Sequence, residues 1–371
     1  MLSQRKAPGR SLVSSIAVAV TLLAVLSAIT GAAASGKRVA VPKTENGPTL
    51  AGPFVHKNLA IYVVRGKTSD GRRFITLDEG LAERTVLVRE KGDRAGRDEA
   101  AVNELEIENK SDRWLFLQAG DVVRGGKQDR TIAVDVTLGP GSGPQSIDAF
   151  CVEHGRWAPK AGGMQFSGNT AIVSGNALKM SIQGEKNQSR VWEEVAKRDR
   201  LAARKVAEAN PGVQAPMSLS ASGTYNAIVD QKEIRSGSEE YVQALAPHLR
   251  DADAVGIVVA INGRLTAADV YASNALFRKL SKKLLDSYSL DAALSGAPSS
   301  LSAHPPREDA VHAFLAEPTA GQSRSERVGA TMHRRTREGK AVVLYEYVDS
   351  GRGGPAESSA VHRSYLSKTA D

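Results

Sequence analysis

Two short stretches carry most of the residues able to do chemistry: Ala119–Arg130 (AGDVVRGGKQDR) and Cys151–Trp157 (CVEHGRW). Each mixes charged and amide side chains with glycine, and glycine allows close backbone approach or a positive φ. Binding is one chemistry they fit. Lys127, Arg130 and Arg156 can hold a phosphate or carboxylate, arginine through a bidentate fork and lysine as a point charge. Gly125 and Gly126 would let backbone N–H groups face an anion. Gln128 can read a hydroxyl or an amide, and Trp157 can stack on a sugar or a base. Catalysis is the second chemistry. Asp121 and Glu153 make a carboxylate pair, one acid and one base, as in glycoside-type hydrolysis, with His154 moving a proton near neutral pH. The third possibility is structural, with Arg130 and Arg156 paired to Asp121, Asp129 and Glu153 at strand ends.

Other site chemistries are excluded or unsupported. Cys151 is the single cysteine, which rules out an internal disulfide and a thiolate metal cluster. A Cys151–His154 nucleophile pair is disfavoured, because side chains three apart on a strand point to opposite faces. A buried, inert thiol is expected. No metal-spaced motif accompanies the carboxylates, and the Gly-Gly-Lys string lacks the spacing and the Ser/Thr of a P-loop, so no metal or cofactor is assigned. The histidines at 56, 248, 304, 312, 333 and 362 are scattered and receive no role. Asp269, at a predicted strand-to-helix boundary, is expected to cap the helix.

The elements that must position these residues change period half-way along the chain. Strands are predicted at 58–64, 85–89, 102–108, 114–117, 131–138 and 147–152, with 74–77 pairing across the Asp70-Gly71 turn and a helical turn at 78–83. A helix is predicted from Ser189 to about Ala209 and another from Ser238 to Pro247. Residues 254–261 are apolar on both faces and read as a central buried strand, returning through the Asn262-Gly263 hairpin turn to 265–271. A third helix runs from about Asn274 to Tyr288, with Arg278, Lys279, Lys282 and Lys283 placed on its solvated side. The fold class expected is α+β: a β-rich N-terminal half, as an antiparallel sheet or sandwich, and a helical C-terminal half containing one buried β-hairpin.

The Gly-Gly-Lys-Gln-Asp-Arg string at 125–130 and the Cys-Val-Glu-His-Gly-Arg-Trp string at 151–157 together resemble the ARG-and-rhodanese-phosphatase-superfamily-associated protein domain, where ARG stands for ADP-ribosylglycohydrolase. The resemblance continues through Asp269-Val270-Tyr271 to the Lys-Leu-Leu-Asp-Ser-Tyr helix ending at Tyr288, and covers roughly residues 50–292. The family's Gly-Glu is Gly120-Asp121 here, a carboxylate on a shorter arm, and its Gly-Lys-Gln-Asn-Arg carries Asp129 in place of asparagine, which adds a negative charge. The association recorded in the family name implies a ligand of nucleotide-sugar or ADP-ribose type, by analogy alone.

The flanks are expected to lie outside that domain. Arg5, Lys6 and Arg10 precede an uncharged apolar run from Ser11 to Thr30 and the small residues Ala32-Ala33-Ala34, the pattern of a signal peptide cleaved after Ala34. The run is nearly as long as the ~20 residues that span a bilayer, so an uncleaved N-terminal anchor is the alternative. Both place the body outside the cytoplasm, secreted or periplasmic. Residues 35–49 are then a linker, 293–306 a second linker, 307–348 a small C-terminal extension and 349–371 a disordered tail. The net charge of +8 falls to +5 without the leader. That permits an anionic ligand but is no nucleic-acid footprint, because the bases are interspersed with acids and no aromatic series accompanies them. The preferred function is binding of a small anionic or sugar-phosphate ligand through the two turns. The alternatives are a hydrolase of a nucleotide-sugar or glycosidic bond using Asp121 and Glu153, and an envelope interaction module in which the polar cluster only holds the fold.

Overall fold

A computed structural model describes residues 49–91, 103–158, 165–167, 172–173, 175–296, 304–350 and 360–369, all within one compact unit. The predicted leader and the linker up to residue 48 lie outside the described residues. The strands are β1 (Thr49–His56), β2 (Leu59–Arg65), β3 (Phe74–Thr76), β4 (Val86–Glu90), β5 (Glu104–Asn109), β6 (Trp114–Leu117), β7 (Val122–Gly125), β8 (Arg130–Ile132), β9 (Val136–Leu138), β10 (Gln145–Cys151), β11 (Phe166–Ser167), β12 (Ala254–Ile261), β13 (Arg264–Tyr271), β14 (Gln322–Arg327), β15 (Met332–Glu338), β16 (Val342–Asp349) and β17 (Ala360–Ser367). The α-helices are α1 (Leu77–Ala82), α2 (Asn176–Met180), α3 (Gln188–Ala209), α4 (Tyr225–Asp230), α5 (Lys232–Leu245), α6 (Asn274–Ser295) and α7 (Glu308–Ala316).

The fold is α+β. Its backbone is an antiparallel sheet of eight strands in the order β1-β2-β12-β13-β17-β16-β15-β14. The all-apolar run of β12 is buried at every residue because both faces of the sheet are covered. On one side Ile61, Val63, Ile257 and Val259 join the main core with Phe277, Leu280 and Leu284 of α6. On the other, Tyr62, Val258, Leu344 and Tyr365 pack against Val311 and Phe314 of α7. Gly256 lets β12 and β13 close up: a Cβ there would stand 2.4 Å from the Asp269 carbonyl oxygen and 2.9 Å from Val270 Cα. Gly256→Ala is therefore expected to cost about 1–3 kcal/mol through forced separation of two central strands. A urea midpoint equal to wild type would show that the strands part freely.

The first half of the chain adds a six-stranded sheet, β11-β7-β8-β10-β5-β4, and a three-stranded sheet, β3-β6-β9. Three expectations change here. Residues 74–76 do not pair back across Asp70-Gly71; β3 runs parallel to β6, with Ile75 opposite Leu115. The single strand expected over 131–138 is two, because the chain leaves the six-stranded sheet after Ile132 and joins the three-stranded one at Val136. Asp135 sits in that break. The C-terminal half carries the expected helices and buried hairpin and adds four further strands, β14 to β17, so that residues 322–349 and 360–367 are integral to the large sheet rather than an extension and a loose tail. β17 lies between β13 and β16, with Asp269 opposite Ser364 and Tyr347 opposite His362.

Candidate functional site

The two glycine-bearing turns meet. β8 pairs with β10, placing Arg130 opposite Cys151, and the loop between β7 and β8 turns on Gly125 and Gly126, whose φ values of +135° and +49° favour glycine. Glu153 accepts from the Asp129 backbone N–H at 3.0 Å and from Arg156 at 3.0 Å (Nε) and 2.6 Å (Nη2). Arg156 also donates to the Gly126 carbonyl at 2.7 Å. The extra charge of Asp129 is met by donors: Gly125 N–H at 3.1 Å, Thr224 Oγ1 at 2.8 Å and Asn226 Nδ2 at 2.7 Å, with Arg156 Nη2 3.5 Å away.

Behind this lies a fully buried ion pair. Arg130 donates from Nη2 to both carboxylate oxygens of Glu90, at 3.2 and 3.0 Å, and its Nη1 contacts the Cys151 sulfur. Glu90 also accepts from the Lys127 backbone N–H at 3.1 Å. Cys151 is buried, and burial pushes its thiol up to about 11, as expected of an inert cysteine. Sequence reasoning missed Glu90, although it falls in step with the inward-facing Val86 and Val88 of β4.

Of the residues singled out by sequence, Asp121, Lys127, Gln128, Arg130 and Glu153 are buried, Arg156 is partly covered, and His154 and Trp157 are exposed. The Trp157 indole is 51% exposed, with Lys127 Nζ 5.2 Å and Arg130 Cζ 5.9 Å from its ring centroid. Gln128 donates to the His154 carbonyl at 3.3 Å, while its buried Oε1 meets no donor among the described residues. His154 lies edge-on to Trp192 at 4.5 Å.

Asp121 is held by different partners from Glu153. Its carboxylate accepts from the Gln118 backbone N–H at 3.0 Å and from Lys283 Nζ at 2.7 Å. Lys283 also pairs with Asp78 at 2.8 Å. The expectation that Lys283 faces solvent is overturned: it is 6% exposed, on the stripe of α6 that docks against the Asp121 turn. Burial opposes its charge, but Asp121 and Asp78 outweigh that and raise its pKa.

The same turn leads to a second polar centre that the sequence did not reveal. The Ala119 backbone N–H donates to Asp135 at 2.7 Å. His362 of β17 lies between two carboxylates, with Nδ1 2.6 Å from Asp135 and Nε2 3.1 Å from Asp269. Tyr288 of α6 donates to Asp269, and Tyr271 stacks on the imidazole at 4.2 Å while donating to Gln118 Oε1 at 2.9 Å. Asp269 is thus no helix cap; Ser273 takes that position, accepting from the Leu276 N–H at 3.3 Å. Desolvation opposes a charge on His362, but the two carboxylates overcome it and lift the imidazole to about 9. Full burial pushes the Asp135 carboxyl up. Burial also works against Asp269, but bonds from His362 and Tyr288 and the charges of His362 and Lys179 bring it below its ordinary value. Gln118, Lys179, Gln183 and Ser364 join these residues around a cavity of about 10 Å³, room for one water. Among the described residues no group of three or more His, Cys, Asp or Glu side chains is arranged to hold a metal ion.

The fold and its joined turns define an α+β domain whose signature residues cross-link strand ends through buried charges. Residues 48–366 match the family model of the ARG and Rhodanese-Phosphatase-superfamily-associated Protein domain, and the chain belongs to that family. The match extends well past residue 292, where the sequence resemblance stopped, and takes in β14 to β17. No curated protein and no solved structure matches the chain.

Proposed function

We propose that this protein binds a small anionic ligand of sugar-phosphate or nucleotide-sugar type, ADP-ribose-like, on the face formed by Trp157, Arg156, His154 and Gln128. The observation that carries this reading is the half-exposed Trp157 indole. An aromatic side chain of that size turned to solvent gives a base or sugar ring a surface to stack on. One further feature supports it: Arg156, at the edge of the same face, keeps 17% of its side chain exposed. Export completes the proposal and rests on the leader pattern of residues 1–34 alone.

Hydrolysis of a nucleotide-sugar or glycosidic bond is the second reading, and the position of Glu153 favours it: its carboxylate lies against Arg156 at the border of this face. Among the described residues Asp121, held by Lys283, shares no hydrogen-bond partner with it.

Titration calorimetry with ADP-ribose tests both. Trp157→Ala should weaken binding at least tenfold, about 1.4 kcal/mol, and leave stability within about 0.5 kcal/mol because the ring is half in water. Unchanged affinity would rule out the stacking face. Glu153→Gln should abolish turnover if the site is hydrolytic; with no turnover in the wild type, binding alone stands.

A further inference from the structure

The large sheet carries a second charged surface, remote in sequence from the signature turns. Side chains alternate between the two faces of a strand. Arg335 and Arg337 of β15, Glu346 of β16 and Arg363 of β17 therefore share the face of Leu344 and Tyr365, which α7 covers in part. Glu346 stands opposite Arg335 on one side and Arg363 on the other. Three arginines surround this one carboxylate. Arg337 Nε donates to Oε2 at 3.1 Å and Arg363 Nε to Oε1 at 3.0 Å, while Arg335 Nη1 stands 3.7 Å from Oε2. Burial works against the Glu346 charge, but the bonds from Arg363 and Arg337 hold its carboxyl below its ordinary value.

The arrangement leaves two positive charges unmatched. Among the described residues Glu346 is the only carboxylate within salt-bridge distance of the three arginines. Arg337 and Arg363 bond it through Nε alone, so among the described residues no Nη group of the three has an acceptor within hydrogen-bond distance. The side chains of Arg335, Arg337 and Arg363 are 25%, 27% and 34% exposed against 9% for Glu346, so solvent meets the guanidinium forks and not the carboxylate. Arg337 and Arg363 are thus anchored at Nε and open at the fork, donors already oriented for an incoming anion. On the edge strand β14 the exposed Ser323 and Ser325 stand opposite Arg337 and Arg335, and their small side chains leave the approach clear.

The pattern selects among anions. Three arginines fall short of the roughly four to eight basic residues of a membrane-binding cluster and of the roughly six to ten phosphate contacts of a duplex binder. A single compact phosphate would have to sit over the Glu346 charge. Separate carboxylates avoid it. Arg335 and Arg337, two apart on a strand, are about 7 Å from each other, the interval at which alternate side chains of an extended peptide repeat. Arginine is also among the residues enriched at protein interfaces.

We propose that this face docks an extended acidic segment of a partner protein, running along β15, with carboxylates at alternate positions on the forks of Arg335 and Arg337 and a further carboxylate on Arg363. The surface shares no residue with the Trp157 face, so either can fail without the other.

The test is calorimetry on the full chain at low salt with a short peptide of alternating glutamate and serine. Its glutamine–serine twin, inorganic phosphate and phosphatidylglycerol vesicles are the other probes. The acidic peptide should bind, and the twin at least tenfold more weakly. Arg335→Gln removes the arginine that makes no hydrogen bond to Glu346, so it spares the fold and should weaken the peptide at least fivefold. Glu346→Gln raises the surplus charge to three and should tighten the peptide several-fold, a gain that unfolding cannot imitate. Arg278→Gln, exposed on α6 against the opposite side of the sheet, removes the same charge and should have no effect. Phosphate or vesicles binding as tightly as the peptide would overturn the peptide assignment. No peptide binding at millimolar concentration, affinity indifferent to Arg335→Gln, or equal weakening by Arg278→Gln would each overturn the surface.

Discussion

His362→Ala is expected to destabilise the protein by about 3–5 kcal/mol, the cost of removing one partner from a buried charge cluster. In the folded chain Asp135, His362 and Asp269 are 0%, 2% and 3% exposed, so bulk solvent does not reach the two carboxylates to replace the lost imidazolium charge. The cluster carries two carboxylates and two cations, His362 and the nearby Lys179, and its charges balance only with the imidazole protonated. In a domain of this size the loss should lower Tm on the order of 10 °C. Adding Asp135→Asn to His362→Ala should recover part of it, because one of the two orphaned charges is then gone. Alkaline titration checks the same physics without mutation. A folded pKa of about 9 against an ordinary value of 6.5 means that the stabilisation is complete below pH 6.5 and lost as pH rises through 9. The amount is about 3 kcal/mol. At acid pH the two carboxylates oppose each other. Asp269, shifted down, contributes stability above its unfolded pKa that is lost as pH falls; Asp135, shifted up, does the reverse. The wild type should therefore soften between pH 6.5 and 9 while His362→Ala lacks that limb. A variant with the wild-type alkaline profile would mean that another group titrates there.

His362 carries no local sign of its burial. It follows a Gly-, Ser- and Ala-rich stretch, and such composition carries no sign that the next eight residues form an inner strand. Only the long-range pairing of β17 with β13 and β16 puts it into the core. β14 was invisible for a related reason: its residues, QSRSER, are polar throughout, and it is held at the sheet edge by pairing with β15 rather than by apolar alternation. The break between Ile132 and Val136 belongs to the same class, since eight residues of strand-like alternation do not reveal that two sheets claim the two ends. Local signals did better. The Asn262-Gly263 turn and the doubly apolar β12 lie where periodicity puts them. α3 runs to Ala209 as predicted, though Asn187 rather than Ser189 caps it, accepting from Ser189 N at 2.9 Å. α6 begins at Asn274 as predicted and continues beyond Tyr288 to Ser295. At the signature turns the sequence identified the residues that meet and, in its structural alternative, the pairing of Arg156 with Glu153 and Asp129, but not the partners of Arg130 and Asp121. Glu90 and Lys283 complete the ion pairs, and both are residue types read as solvated when no neighbour is known.

Lys283→Met tests that last point most directly. On α6, Leu276, Leu280, Lys283, Ser287, Leu290 and Leu294 recur at spacings of four and three, and all are buried. A lysine in that stripe must either carry a partner inward or be neutral. Here it carries two: Asp121 at 2.7 Å and Asp78 at 2.8 Å. Its raised pKa keeps the ammonium charged through neutral pH, and the stabilisation is lost only in strong alkali, as pH rises from its unfolded value through the folded one. Methionine retains most of the stem, so the substitution isolates the charge and leaves Asp121, 1% exposed, without its cation. The expected cost is about 3–5 kcal/mol by urea unfolding. Lys279→Met, one turn earlier on the same helix, removes an ammonium paired with Glu79 where the two side chains are 31% and 36% exposed, and should cost at most about 1 kcal/mol. Coupling Asp121→Asn to Lys283→Met should return part of the loss. Equal costs for the two lysines would mean that water reaches Asp121, and the turn carrying the family's acidic position would then be open to solvent rather than locked against α6.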